Sequence, residues 1–287
     1  NLNRRMKKIL AFALVLMLAR ANAADNQARA ILEKSVAITG SLRGSSYVMQ
    51  GFERQRGKLI ILEVLTKVNV APNKIYTKVL SDPNKGTELL FVKGQNSDKV
   101  RVNPGKFLPT LSLSPYSSML TKDQHHTLLS SGFNLYTRLI KDAMKRADDQ
   151  KRFDDVVKLE GEVVFNGRKC YKIVLEDPTF SYVTVTGKAG ESLYTLNQRL
   201  LVPECIVVEK NAFVKNFESD LSGKQIKVPS AYAKKSTIYI DKDTYMPIFQ
   251  EMSDDIGVFE RYEYSSLKVN PAFKEDEFTE KFSEYSF

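Results

Sequence analysis

From Ser46 to Val102 apolar and polar residues alternate in segment after segment, and the same pattern returns after Val156 and again after Ser236. A period of two sends successive side chains to opposite faces of a pleated strand. Strands are expected over residues 47–54, 57–70, 74–80, 87–93 and 99–102, then 156–165, 169–176, 236–241, 246–252 and 258–269. Short turns separate them, marked by Pro72-Asn73, by Asp82-Pro83-Asn84-Lys85-Gly86 and by the hairpin dipeptide Asn166-Gly167. Connections this tight join antiparallel neighbours, and a sheet of so many strands is expected to curl. The 13 tyrosines and 16 phenylalanines, with no tryptophan, suit such half-buried pleated surfaces.

Helical periodicity is confined to the start and the middle. Residues 26–40 carry Ala30, Ile31, Lys34, Ala37 and Ile38 at helical spacing, and residues 122–130 suit a short helix. Over 133–147, Tyr136, Leu139, Ile140, Ala143 and Met144 share a face opposite Arg138, Lys141, Lys145 and Arg146. Residues 275–282 suit a last helical turn or two. The expected fold class is α+β: a large curved antiparallel half-barrel sheet with covering helices. A half-closed sheet beneath helices is a natural cleft for an apolar ligand. The competing outcome is a dry core completed by those helices, which periodicity alone favours. Phe52, Leu62, Tyr76, Phe91, Tyr136, Leu139 and Ile140 are the cavity contacts the pattern predicts.

The N-terminus has the three parts of a secretory leader: Met6-Lys7-Lys8, the apolar run 9–19, and Ala21-Asn22-Ala23 at cleavage spacing. Initiation is expected at Met6 and cleavage after Ala23, so residues 1–23 are assigned as a signal peptide. The run falls short of the ~20 residues a membrane span needs, so the mature protein is expected to be exported and soluble, most simply periplasmic, without a transmembrane segment. No cysteine lies near the cut to carry a lipid anchor. Removing Arg4, Arg5, Lys7, Lys8 and Arg20 lowers the net charge from +9 to +4. That balance, without a basic cluster interleaved with aromatics, argues against a nucleic-acid partner.

Chemistry is sparse. There is no G-x-S-x-G, no P-loop and no dinucleotide fingerprint, so no catalytic residues, cofactor or metal are assigned. His125-His126 is the one histidine pair; adjacent helical residues diverge by ~100°, which makes them poor joint ligands. Packing and capping are the expectation there, with acid–base chemistry of a hydrolase as the competing use. Glu53-Arg54 reads as a cross-strand ion pair or a rim contact. Cys170 and Cys205 read as two buried thiols in preference to a bridge, although export permits one.

One stretch interrupts the strands. Residues 190–211, GESLYTLNQRLLVPECIVVEKN, suit two short helices between strand-like segments. Ser192 is placed to cap the first, with Leu193, Leu196 and Leu200 on one face; Val202-Pro203-Glu204 opens the second, with Pro203 as its first residue. Ile206 is expected in the core and Asn211 at the helix end.

Two resemblances follow from these residues. Ala30-Ile31-Leu32-Glu33-Lys34, Gly51-Phe52-Glu53-Arg54, Pro72-Asn73-Lys74-Ile75-Tyr76, Gly86-Thr87-Glu88-Leu89-Leu90-Phe91, Gln124-His125-His126-Thr127 and the tail Tyr262-Glu263-Tyr264-Ser265, Val269-Asn270-Pro271 and Phe278 resemble the LolA/LolB-like lipoprotein-localisation factors, and within them an uncharacterised secreted bacterial family. The resemblance implies an open half-barrel over residues 24–180 and 230–287, whose cavity takes a lipid or lipoprotein acyl chain. Tyr182-Val183-Thr184-Val185, Gly190-Glu191-Ser192-Leu193, Asn211 and Leu221-Ser222-Gly223-Lys224-Gln225-Ile226-Lys227-Val228-Pro229 resemble the LysM module, a small βααβ unit, over residues 181–229. That likeness implies peptidoglycan as a partner, with Gly190, Glu191, Ser192, Leu193, Asn211, Leu221 and Gly223 as the carried-over glycan-binding positions. The turn from Val185 to Gly190 is about two residues longer than the module's norm, and the loop 213–220 is roomy. The sequence therefore points to an exported, non-enzymatic lipid or acyl-chain carrier, tethered to peptidoglycan by its insert. The alternative is a cell-wall-associated structural or interaction protein working through the insert alone.

Overall fold

The computed structural model describes residues 27–287 except residues 56, 106, 107 and 123; the expected signal peptide lies outside the described residues. Thirteen strands are described: β1 (Gly44–Gln55), β2 (Lys58–Asn69), β3 (Lys74–Val79), β4 (Glu88–Val92), β5 (Val100–Asn103), β6 (Leu111–Leu113), β7 (Val157–Phe165), β8 (Arg168–Glu176), β9 (Tyr182–Thr186), β10 (Gln225–Pro229), β11 (Lys235–Asp241), β12 (Pro247–Ser253) and β13 (Val258–Val269). Eleven of them form one antiparallel sheet in the order β6-β5-β4-β3-β2-β1-β13-β12-β11-β8-β7, while β9 and β10 pair separately. The fold is α+β, with a large, curved, open antiparallel sheet and few helices, as the alternation implied. Asn166 (φ 48°) and Gly167 (φ 74°) take the left-handed conformations of a tight hairpin turn, with Phe165 opposite Arg168.

Cross-strand register puts one continuous row of side chains on the concave face. Met49 pairs with Val64 and Tyr264, Val64 with Val79, and Thr66 with Thr77. Thr77 pairs with Leu89, Leu89 with Val102, and Val102 with Leu111. The opposite parity faces outward, where Tyr76, Leu90 and Val92 are buried against Phe278 of the C-terminal tail. That tail runs in turns over 275–281 and forms no helix; Tyr285 stacks flat on Tyr76, ring centroids 3.6 Å apart.

Two helices fill one half of the concave face. Helix α1 covers 27–40 and buries Ala28, Ile31, Leu32, Ser35 and Val36, a face rotated from the expected one, because Ala30, Lys34 and Ala37 are exposed. The larger side chains of Leu32 and Val36 gain more from burial than three alanine-sized or charged positions. After the four-residue α2 (Ser118–Thr121) comes α3 (Asn134–Asp149), which buries Tyr136, Leu139, Ile140 and Met144 on its predicted face. With α4 (Phe153–Val156), these helices pack Leu32, Ile140, Phe153 and Val156 against Ile173, Ile238 and Ile240. The Ser35 and Tyr136 hydroxyls share a 2.8 Å hydrogen bond inside that core.

Residues 182–229 build β9, helices α5 (Leu193–Leu200) and α6 (Glu204–Lys210), and β10 around their own core of Leu193, Leu196, Val202, Val207, Leu221, Ile226 and Val228. Ser192 and Thr195 form a reciprocal capping box. Pro203 is the N-cap of α6, one position ahead of the expected first turn. A side chain at Gly187 would meet the Leu221 carbonyl oxygen at 1.8 Å, so only glycine permits that crossing. Ile206 faces away from this core and packs with Tyr232, Met252 and Phe259 of the large sheet.

Candidate functional site: a lidded cavity with one polar wall

The other half of the concave face is covered by short pieces instead of long helices. The expected helix over 122–130 does not form: α2 ends at Thr121, and the described residues that follow are irregular up to a 3-10 turn at Leu128–Ser130. The reason lies at His125, whose backbone N–H donates to the Glu53 carboxylate (2.8 Å) in place of a helical carbonyl. Beneath this cover is a cavity of about 580 Å³, within the range of small-molecule sites. Leu62, Val64, Val79, Leu89, Val102, Leu111, Leu113, Leu120 and Leu128 make its apolar wall. Exposed lining residues Ile61, Pro83, Asn84 and Met119 mark its mouth.

The wall nearest β1, β12 and β13 is polar, with Glu53, His126, Tyr232, Gln250, Glu260 and Tyr262 lining it. Tyr262 donates to Glu53 Oε1 (2.7 Å) and Tyr232 donates to Glu260 Oε1 (2.7 Å). His125, 1% exposed, donates from Nδ1 to Glu260 Oε2 (3.1 Å) and from Nε2 to the Arg54 carbonyl (2.9 Å). Both ring nitrogens face acceptors, so the ring is an imidazolium. His126 Nε2 lies 3.3 Å from Glu260 Oε2 and its Nδ1 3.7 Å from Glu204 Oε2 on α6.

The electrostatics agree with this pairing. Burial by itself lowers both histidines, but their acidic surroundings outweigh it: His125 rises well above the usual range and His126 goes up to about 10. Burial by itself raises the Glu260 carboxyl, and the hydrogen bonds from His125 and His126 reverse that and hold it below the ordinary range. Burial pushes the Cys205 thiol up to about 11, the wrong direction for a nucleophile. Cys170 and Cys205 are buried free thiols. Among the described residues no group of three or more His, Cys, Asp or Glu has the geometry for a metal ion.

Of the residues expected to line a cavity, Leu62, Tyr136 and Leu139 do so. Phe52 is on the outward parity of β1, under the Arg261 guanidinium at 3.9 Å. Tyr76 is also outward, bonded to Glu88 at 3.0 Å. Phe91 has the inward parity but is buried among Val68, Ile75, Val100 and Val102, and Ile140 belongs to the helix-filled core. Glu53 and Arg54 are not partners: Arg54 reaches Asp254 (2.5 Å) and Glu209 (3.3 Å) while Glu53 points inward. Glu53 and Glu260 were missed as site residues: they face each other across β1 and β13, and no local pattern announces it, since the inward neighbours of Glu53 along β1 are Gly51 and Gln55.

The seven positions carried over for glycan binding are engaged within the insert. Leu193 and Leu221 are core, Gly190 and Gly223 take left-handed turns, and Ser192 caps α5. Glu191 is held by Arg199 through two 2.7 Å contacts, and Asn211 bridges the carbonyls of Val207 (2.7 Å) and Lys227 (2.8 Å). Among the described residues no helix is long and apolar enough to cross a membrane.

The family model described as protein of unknown function (DUF1571) matches residues 42–185. No curated protein matches the chain. Among solved structures, the chain is similar to lipoprotein LppX of Mycobacterium tuberculosis at 13% identity, over 87% of this chain and 98% of that one, with a TM-score of 0.40. It is similar to a DUF1329 family protein from Desulfovibrio piger at 11% identity, over 88% and 96%, with a TM-score of 0.35. It is also similar to a LolA superfamily protein from Nitrosomonas europaea at 11% identity, over 88% and 97%, with a TM-score of 0.31.

Proposed function

The chain belongs to the DUF1571 family, and we propose that it is a non-enzymatic carrier of a lipid or lipoprotein acyl chain, held in the lidded half-barrel. The observation that carries this reading is the cavity of about 580 Å³, walled by leucine and valine on a sheet whose other half is covered by long helices packed onto it. Apolar space that water occupies poorly is most stable when hydrocarbon fills it, at roughly 0.8 kcal/mol per buried methylene. Among the described residues, burial raises the Cys205 thiol and Glu260 holds both histidines, so neither the thiol nor the histidine pair is an activated nucleophile. The carrier works after export, in the periplasm. Titration with a fluorescent acyl probe tests the reading: saturable binding, abolished by Val64→Trp, supports it, and a purified chain that takes up no acyl probe overturns it.

A second reading adds wall tethering by the LysM-like insert, favoured by the βααβ order and separate core of residues 182–229. Co-sedimentation of the full chain with purified peptidoglycan tests it, and a chain left wholly in the supernatant removes it.

A further inference from the structure

The carrier reading leaves the polar wall of the cavity unexplained, and its chemistry restricts what head group an acyl ligand can bring. Among the described residues, the side chains lining the cavity include no lysine or arginine. The acids Glu53 and Glu260 line it directly, with Glu204 behind His126. Against these three carboxylates stand two imidazoliums, His125 and His126, so the wall is negative even with both rings charged. A carboxylate or phosphate brought here is desolvated beside like charge, and both imidazoliums already face carboxylates, His125 at Glu260 and His126 between Glu260 and Glu204.

The wall also retains acceptor capacity. Glu53 accepts from Tyr262 and from the His125 N–H, two of the about four bonds a carboxylate can take. Thr127, 4% exposed, lines the cavity, and its hydroxyl has no partner. Buried hydroxyls are rarely left unpaired, so an orphan here marks where a ligand's polar atom sits.

We propose that the cavity binds a single amphiphile whose head donates hydrogen bonds and carries no negative charge, such as an alcohol, glyceride or amine. Its head lies against Glu53 and Thr127, and its tail runs along β2–β5 toward Leu89, Val102 and Leu111. This rests on the carrier reading and specifies its ligand. Free fatty acids and alkyl phosphates are excluded by the carboxylates.

Competition against a bound fluorescent probe, using the full chain, tests the proposal with one tail and varied heads: oleyl alcohol, oleylamine, monooleoylglycerol, oleate and oleyl phosphate. The three non-anionic compounds are expected to displace the probe at concentrations at least tenfold lower than the two anions. Oleate or oleyl phosphate competing as well as oleyl alcohol overturns the head-group assignment while leaving the carrier reading intact. Failure of every compound, and of the probe, overturns both. Thr127→Val, which keeps shape and removes the hydroxyl, is expected to weaken monooleoylglycerol severalfold and to leave hexadecane uptake unchanged. Equal effects on both ligands, or none on either, place Thr127 outside the head-group site and contradict the proposed orientation.

Discussion

The two halves of the concave face are built from the same kind of strand and end differently. Over β7, β8 and β11, the long helices α1 and α3 press Leu32, Ile140 and Met144 into Ile173, Ile238 and Ile240, and the face is filled. Over β2–β6, the cover is a four-residue helix, a 3-10 turn and irregular chain, and about 580 Å³ stays open. What separates a core from a cavity here is the covering element. A long amphipathic helix presents a continuous apolar stripe that interdigitates with the sheet. A short, pinned segment cannot, because its backbone is committed elsewhere: His125 N–H to Glu53, and Gly132 N–H to the Tyr47 hydroxyl at 2.8 Å.

The largest effect is expected at the seam between the halves. Glu260→Ala leaves two imidazoliums buried without their shared carboxylate and should cost about 3–5 kcal/mol in urea denaturation; a loss below about 1 kcal/mol would mean the network holds nothing together. Next, Ile238→Ala in the filled half should cost roughly 2–5 kcal/mol, since it opens a new void. Leu62→Ala, which only enlarges existing space, should cost about 1 kcal/mol or less because no cavity term is added. Equal losses at the two positions would erase the distinction between packed and hollow. Inserting bulk inverts the comparison: Ile173→Phe should destabilise by about 1–3 kcal/mol through overpacking, whereas Val64→Phe should leave stability nearly unchanged and reduce acyl-probe binding.

The last prediction is a slope. His126 has a folded pKa of about 10 against 6.5 for the free side chain, so the folded state holds its proton more tightly. Its stabilisation is complete below about pH 6.5 and declines as pH rises toward about 10. Denaturation midpoints should fall between pH 6.5 and 9.5, and His126→Asn should flatten that decline; a flat profile in the unaltered chain would show that His126 is not held charged.

These differences explain what could be read from the residues alone. The filled half was legible because its signals are local: Tyr136, Leu139 and Met144 repeat at helical spacing, and Asn166-Gly167 fixes a hairpin within four residues. β6 was missed because three residues, Leu111–Leu113, carry no usable alternation. The polar wall was missed because its partners are far apart in sequence. His125 finds Glu53 and Glu260 only after the sheet has curled, so the same dipeptide reads as ordinary capping until β1 and β13 are neighbours. Phe52 and Tyr76 failed as cavity residues through parity alone: a strand shifted by one position reverses every side chain.

Native mass spectrometry of the full chain, purified without detergent and then offered monooleoylglycerol, tests the central claim that the hollow half is a ligand site. One bound amphiphile per chain, lost in Val64→Trp and kept in a surface control such as Val164→Ser, is the expected result. A chain that stays unliganded, or that binds equally well with Val64→Trp in place, contradicts it.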